Sequence, residues 1–262
     1  MPNNTPKNNL LFDFYQNIKS GTEVLSIEDL EVAIKTMELA KEELKINEQK
    51  RIQKLELEKL RNAKPKTDGK IIYLPNNLRK LNADAFKGDE EIVKVFINKG
   101  LTEIGPSAFE GCTNLREVVF PSNSIILRRG CFKDCSSLKE IFIPQINTIG
   151  PSAFENCLML EKISLPATIS NIYSKAFKDC TSLKEVCFRK YKYRWWGTIF
   201  GRAFENCIFL ETIELPLGLG MYNEKTFSNC VNLKTIYVHE NWNSRRKLDN
   251  CPAQIINLDA PK

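Results

Sequence analysis

A chain of 262 residues with 42% apolar and 27% charged side chains can fill a sizeable core and is not a disordered segment. No apolar run approaches the roughly 18 residues that a membrane helix needs. The early run Leu10 to Phe12 is far too short for the apolar core of a secretory leader. The expected compartment is the cytoplasm, with secretion or surface exposure by a non-classical route as the alternative. Nine cysteines, an odd number in a chain of this length, do not read as a disulfide framework, and the net charge of +6 is modest.

Residues 1–25 are polar apart from Leu10 to Tyr15. Ser26, with Asp29 three residues on, reads as a helix start. From Ile27 to about Asn62 there is no Pro or Gly, and Glu, Lys and Leu dominate, which predicts one long helix. Leu30, Ile34, Met37, Leu44, Ile52 and Leu55 fall near one face, but Lys41, Glu48 and Arg51 interrupt the stripe. A coiled coil is therefore possible without being specified. Residues 1–64 form a helical appendage and cap, residues 65–70 a linker, and residues 71–262 the main domain. The helix either caps that domain or associates with a partner or a second chain.

The main domain is a repeat. Ala-Phe followed by Cys recurs at Ala108-Phe109 with Cys112, Ala153-Phe154 with Cys157, Ala176-Phe177 with Cys180 and Ala203-Phe204 with Cys207. Cys131-Phe132 with Cys135 and Thr226-Phe227 with Cys230 are close relatives; Ala85-Phe86 begins the series without its cysteine. The phenylalanines lie 23, 23, 22, 23, 27 and 23 residues apart, and a degenerate last copy places Leu248 and Cys251 in the two slots. After each Cys comes Leu-x-x-Ile-x-Ile-Pro, as in Leu138 to Pro144. This is a short alternating strand stopped by a residue that cannot join a ladder. Phe-x-x-Cys-x-x-Leu has the spacing of a helical or 3₁₀ arc. A further apolar residue precedes each Phe by five: Leu81, Ile104, Leu127, Ile149, Ile172 and Ile199. Neither strand nor arc can bury its apolar face alone. About eight stacked copies can, with the strands aligned as one parallel sheet, which makes an α/β solenoid.

The pattern Ile-Gly-x-x-Ala-Phe-x-x-Cys-x-x-Leu-x-x-Ile-x-Ile-Pro resembles the BspA-like leucine-rich-repeat family over roughly Ile71 to Asp259. The resemblance implies a right-handed coil used in adhesion or protein recognition, often at microbial surfaces.

The candidate chemistry is that of a binding surface. The ladder Cys112, Cys135, Cys157, Cys180, Cys207, Cys230 and Cys251 is spaced too widely for a zinc site and reads as buried, reduced core. His239, the one histidine, occupies the slot Pro usually takes after a strand and reads as a turn or surface residue. No nucleophile elbow or phosphate loop is present, so the expectation is a non-enzyme without cofactor. If Val118 and Phe120 point inward, two outward rows follow. One runs Lys94, Glu117, Glu140, Lys162, Glu185, Thr212 and Thr235. The other runs Phe96, Val119, Phe142, Ser164, Cys187, Glu214 and Tyr237. Phe96, Val119 and Phe142 would form an apolar stripe on the concave face, with Tyr237 further along; the competing reading is that the N-terminal helix covers it. The second candidate is the extra length between Phe188 and Phe204. Arg189, Lys190, Tyr191, Lys192, Tyr193, Arg194 and Trp195 are all basic or aromatic, and the span Val186 to Phe204 carries five Lys/Arg and no acid. Insertions in solenoids become loops on one face, and Tyr, Trp and Arg are hot-spot side chains. The expected partner is a protein, and the basic segment suits an acidic one. A host protein or glycan bound by an adhesin, or a nucleic acid bound through the loop, are the other readings, with nucleic acid the least favoured because the patch is small.

Overall fold

The computed structural model describes residues 31–41, 44, 48, 51, 69–166, 168–189, 197–217, 219–221, 224–239 and 251–259. The chain divides into two compact units, Met1–Leu55 and Glu56–Lys262. In the first, residues 31–41 are helical, within the span the composition predicts. Ile34, Met37 and Leu44, the stripe read from the sequence, are exposed, as are Val32 and Leu39. Most of the predicted linker, residues 65–70, lies outside the described residues. Lys70 already belongs to a strand and forms a buried ion pair with Asp89 at 3.1 Å.

The second unit is a solenoid built from two kinds of parallel strand. The alternating segments of the repeat form β1 (Lys70–Tyr73), β3 (Ile92–Phe96), β5 (Glu117–Val119), β7 (Glu140–Phe142), β9 (Lys162–Leu165), β11 (Glu185–Phe188), β13 (Thr212–Glu214), β15 (Thr235–Val238) and β16 (Gln254–Asn257). They pair as three successive groups, β1-β3-β5, β7-β9-β11 and β13-β15-β16, where the sequence predicts one unbroken sheet. Between β11 and β13 the chain carries the extra residues of the long copy. The second kind was not foreseen as strands. The apolar residue five before each Phe from Phe86 to Phe204 ends a two- or three-residue strand: β2 (Lys80–Leu81), β4 (Glu103–Ile104), β6 (Ile126–Leu127), β8 (Thr148–Ile149), β10 (Asn171–Ile172) and β12 (Gly197–Ile199); β14 (Leu219–Met221) follows them in the next coil. These make a continuous seven-stranded parallel ladder. Ile-Gly in the motif belongs here, because a Cβ on Gly105 or Gly150 would lie 2.5 Å from the carbonyl oxygen of Leu81 or Leu127.

The Phe-x-x-Cys arc is not a helix, which corrects the reading from spacing; among the described residues only Glu224–Phe227 is 3₁₀. The reason is a left-handed residue two before the Phe and another two after it. Ser107, Ser152, Lys175 and Arg202 hold the first place, and Asp134, Asn156, Asp179, Asn206 and Asn229 the second, all with φ between 53° and 63°. Alternating handedness breaks the helix and turns every second N–H toward the next coil. Phe109 N–H thus donates to the Cys131 carbonyl at 2.8 Å, and Asn156 N–H to that of Lys178 at 2.9 Å. The result is a third inter-coil ladder that leaves few backbone groups unpaired. At the second place the Asn156 amide donates to the Asp134 carboxylate at 2.7 Å, the Asn206 amide to Asp179, and the Asn229 amide to Asn206 at 2.9 Å.

Inside, Phe86, Phe109, Phe132, Phe154, Phe177, Phe204 and Phe227 are fully buried. Their rings stack face to face with centroids 5.2 to 5.4 Å apart. Beside them runs the cysteine column. Each thiol donates to the carbonyl of the Phe one coil back, at 3.0 to 3.3 Å from Cys112 through Cys230. A thiol suits this place because it is small, largely apolar and still a weak donor. Burial pushes the Cys112 thiol up to about 12 and lifts Cys135, Cys157, Cys180 and Cys207 in the same direction. Cys251, expected to be buried with the rest, is only half-buried. Its copy, with Leu248 outside the described residues, does not complete the column.

Candidate functional site: the outward sheet face

Val118 and Phe120 are buried, so the alternation expected for the strands holds and the two predicted rows point outward. Register agrees within each group: Lys94 lies beside Glu117, Phe96 beside Val119, Phe142 beside Ser164, and Glu214 beside Tyr237.

Two ion pairs take up four of the five charges of the charged row, and Glu140 is the fifth. Lys94 Nζ lies 2.7 Å from Glu117 Oε2, and Lys162 Nζ lies 2.9 Å from Glu185 Oε2. The Cys187 thiol donates to Glu185 Oε1 at 2.8 Å. That hydrogen bond first, and Lys162 second, hold the Glu185 carboxyl below its usual range. Bonding to Glu185 raises Lys162 in turn.

The apolar row is less continuous than the sequence predicts. Phe96, Val119 and Tyr237 are half-buried, and only Phe142 is exposed, at 53%. Val119 and Phe142 fall on β5 and β7, which are not hydrogen-bonded to one another. The row begins one coil earlier than expected. Tyr73, 62% exposed, stacks on Phe96 with centroids 4.6 Å apart, and Lys94 Nζ lies 4.8 Å from the Phe96 ring centre. Tyr73 was missed because its coil has no Phe slot of its own before it, although it sits 23 residues before Phe96, the period of the repeat. An open groove of about 760 Å³ adjoins this pair, lined also by Pro75, Asn76 and Lys99. Asn98 at its floor is spent on structure. Its amide donates to the carbonyls of Pro75 and Leu78, and its oxygen accepts from Gly100 N–H.

Phe142 has a partner the sequence did not reveal. The Arg189 guanidinium lies 4.4 Å above its ring centre, a cation–π contact. Arg189 is where the chain leaves β11 for the basic-aromatic segment. Lys190, Tyr191, Lys192, Tyr193, Arg194 and Trp195 themselves lie outside the described residues.

His239 is half-buried between two carboxylates, with Nδ1 3.1 Å from Asp259 and Nε2 3.7 Å from Glu214. Its two nitrogens face different acids, so the three groups do not converge on one point. Among the described residues no group of three or more His, Cys, Asp or Glu is placed to hold a metal ion, and no helix is long and apolar enough to cross a membrane.

No curated protein gives a significant match to the chain. Similar solved structures include a leucine-rich repeat protein of T. pallidum, 23% identical, covering 55% of this chain and 79% of that one with a TM-score of 0.42. A leucine rich cell surface protein of Faecalibacterium prausnitzii is 14% identical over 72% of this chain and 79% of its own, with a TM-score of 0.40. A leucine-rich repeat protein of Eubacterium ventriosum is 17% identical over 74% of this chain and 46% of its own, with a TM-score of 0.48. A family model described as BspA type Leucine rich repeat region matches six copies, over residues 66–184 and 147–258. The chain belongs to the BspA-type leucine-rich-repeat family.

Proposed function

We propose that the solenoid is a non-enzymatic protein-binding module. Its contact surface is the concave row of Tyr73, Phe96, Val119 and Phe142, extended by the segment Lys190 to Trp195, with Tyr237 as an outlying contact. The observation that carries this reading is Arg189 over Phe142. It sets the exposed Phe142 beside the residue that leads into the basic-aromatic segment, which supports reading the two candidates together. Aromatic and Arg side chains supply most hot spots at protein interfaces. Five Lys/Arg without an acid between Val186 and Phe204 favour an acidic partner. The nine free thiols suit a reducing compartment, and we place the protein in the cytoplasm. Recovery from the cell surface on fractionation would transfer the same contact surface to an adhesin.

The test replaces Tyr191, Tyr193, Arg194 and Trp195 together with Ser and measures partner capture. Loss of capture with unchanged thermal unfolding is the expected result. Undiminished capture by the folded variant would reduce the segment to a structural insertion. A log–log salt dependence steep enough to count several phosphates would redirect the reading to nucleic acid.

A further inference from the structure

We infer that two copies of this chain pair through one flank of the C-terminal coils, with Phe209 near the centre of the contact. The inference is independent of the concave-face reading.

In each coil the turn between Cys and Leu presents two residues to solvent. In the early coils they are polar: Thr113 and Asn114, then Ser136 and Ser137. Later they become Leu158 and Met159, each 44% exposed, then Ile208 with Phe209 at 52%, then Val231 at 56%. The coil between them carries Thr181 and Ser182. An apolar cluster confined to one half of one flank, on a protein whose other turns there are polar, marks a contact surface.

The neighbouring row identifies the occupant. The residue after each Leu on this flank reads Glu161, Lys184, Glu211, Lys234. Within the chain these form two exposed pairs, Glu161 with Lys184 at 3.0 Å and Glu211 with Lys234 at 3.1 Å. A row that runs acid, base, acid, base is complementary to itself when reversed. A two-fold axis between Lys184 and Glu211 sets Lys184 against Glu211 of the second copy, and Glu161 against Lys234. The same axis sets Leu158 against Val231 and Phe209 against Ser182. One operation therefore matches the charged row in full and sets Leu158 on Val231, with the Phe209 ring packing over the small Thr181 and Ser182 side chains next to the axis. Laying one copy beside the other unreversed and in the same register would put like charges together, and shifting it by one coil would leave the two end charges of the row unmatched. Exposed pairs hold their partners weakly, so re-pairing across the contact costs little. The apolar side chains supply the attraction and the charges set the register. The patch is small, which points to a dimer in the micromolar range.

Sedimentation of the full chain from about 1 to about 200 μM tests this. The mean mass should rise from 30.1 kDa toward twice that value. Phe209→Glu, at an exposed site, should hold the protein at monomer mass with unchanged thermal unfolding. Lys184→Glu alone should weaken pairing about tenfold or more, because it sets acid against acid twice across the axis. Adding Glu211→Lys should restore pairing, although both intrachain pairs are then lost. A monomer at the highest concentration, association indifferent to Phe209→Glu, or a double variant no better than the single one would each overturn the inference.

Discussion

The Phe column from Phe86 to Phe227 and the outward row from Tyr73 to Tyr237 climb the same solenoid at nearly the same spacing. In the column the side chain is the same in all seven coils, fully buried, with rings 5.2 to 5.4 Å apart. In the row it changes at nearly every step: two stacked aromatics, then Val119, then Phe142 beneath Arg189, then Ser164, Cys187 and Glu214. Both places receive the same backbone. What differs is the neighbour: inside, each coil meets its own image and packing has one good answer, whereas outside it meets water or a partner. Repetition thus reports structure, and departure from repetition is where recognition is to be sought.

The column is broken most directly at its middle. Phe154→Ala should cost roughly 3–5 kcal/mol in chemical unfolding, because the site is fully buried and flanked by Phe132 and Phe177. A loss below about 1 kcal/mol would mean that the stack is not the core.

The thiols beside it add a dependence on alkali. The folded state holds Cys112 protonated up to about 12, above its ordinary value of 9.0. Its contribution is therefore complete below pH 9.0 and is lost as pH rises from there toward about 12. Each buried thiol removes roughly 1.4 kcal/mol per pH unit inside its window. Unfolding free energy measured at pH 8 and above should fall steeply, and Cys112→Ala should make the fall shallower. An identical slope in the variant would contradict a buried thiol column.

A smaller effect separates conformation from contact at the turns. Asn156, at φ 61°, should cost about 1–2 kcal/mol as Ala and less as Gly, since Gly recovers the left-handed backbone but not the bond to Asp134. Equal losses would assign the whole effect to the side-chain bond. Least of all, Lys94→Ala on the concave face should change stability by about 0.5 kcal/mol or less, as exposed ion pairs do.

Much of this was legible in the residues, for identifiable reasons. Phe and Cys recur at one spacing because each coil must present the same shape to the next. The outward rows followed from period two once Val118 and Phe120 were taken as inward. The short ladder was not legible: Lys80–Leu81 or Thr148–Ile149 contains one inward residue, too few for any alternation to show. The left-handed positions were hidden as well, because Lys175 and Arg202 adopt them as Ser107 and Asn156 do, and neither is a turn residue by composition. The concave site was half visible. Tyr73 lay at the right period outside the recognised copies, and no sequence rule brings Arg189 over Phe142, which sits two strands away.

The central claim is that the outward face of the longer strands carries partner recognition while the face of the short-strand ladder carries structure. The direct measurement is partner capture by three proteins of matched stability: the natural chain, Phe142→Asp with Arg189→Asp, and Ile126→Asp. Ile126 is an exposed apolar residue on the short-strand ladder. The account predicts that the concave variant loses the partner and the Ile126 variant keeps it. Retention by the concave variant, or loss by the Ile126 variant alone, would contradict it.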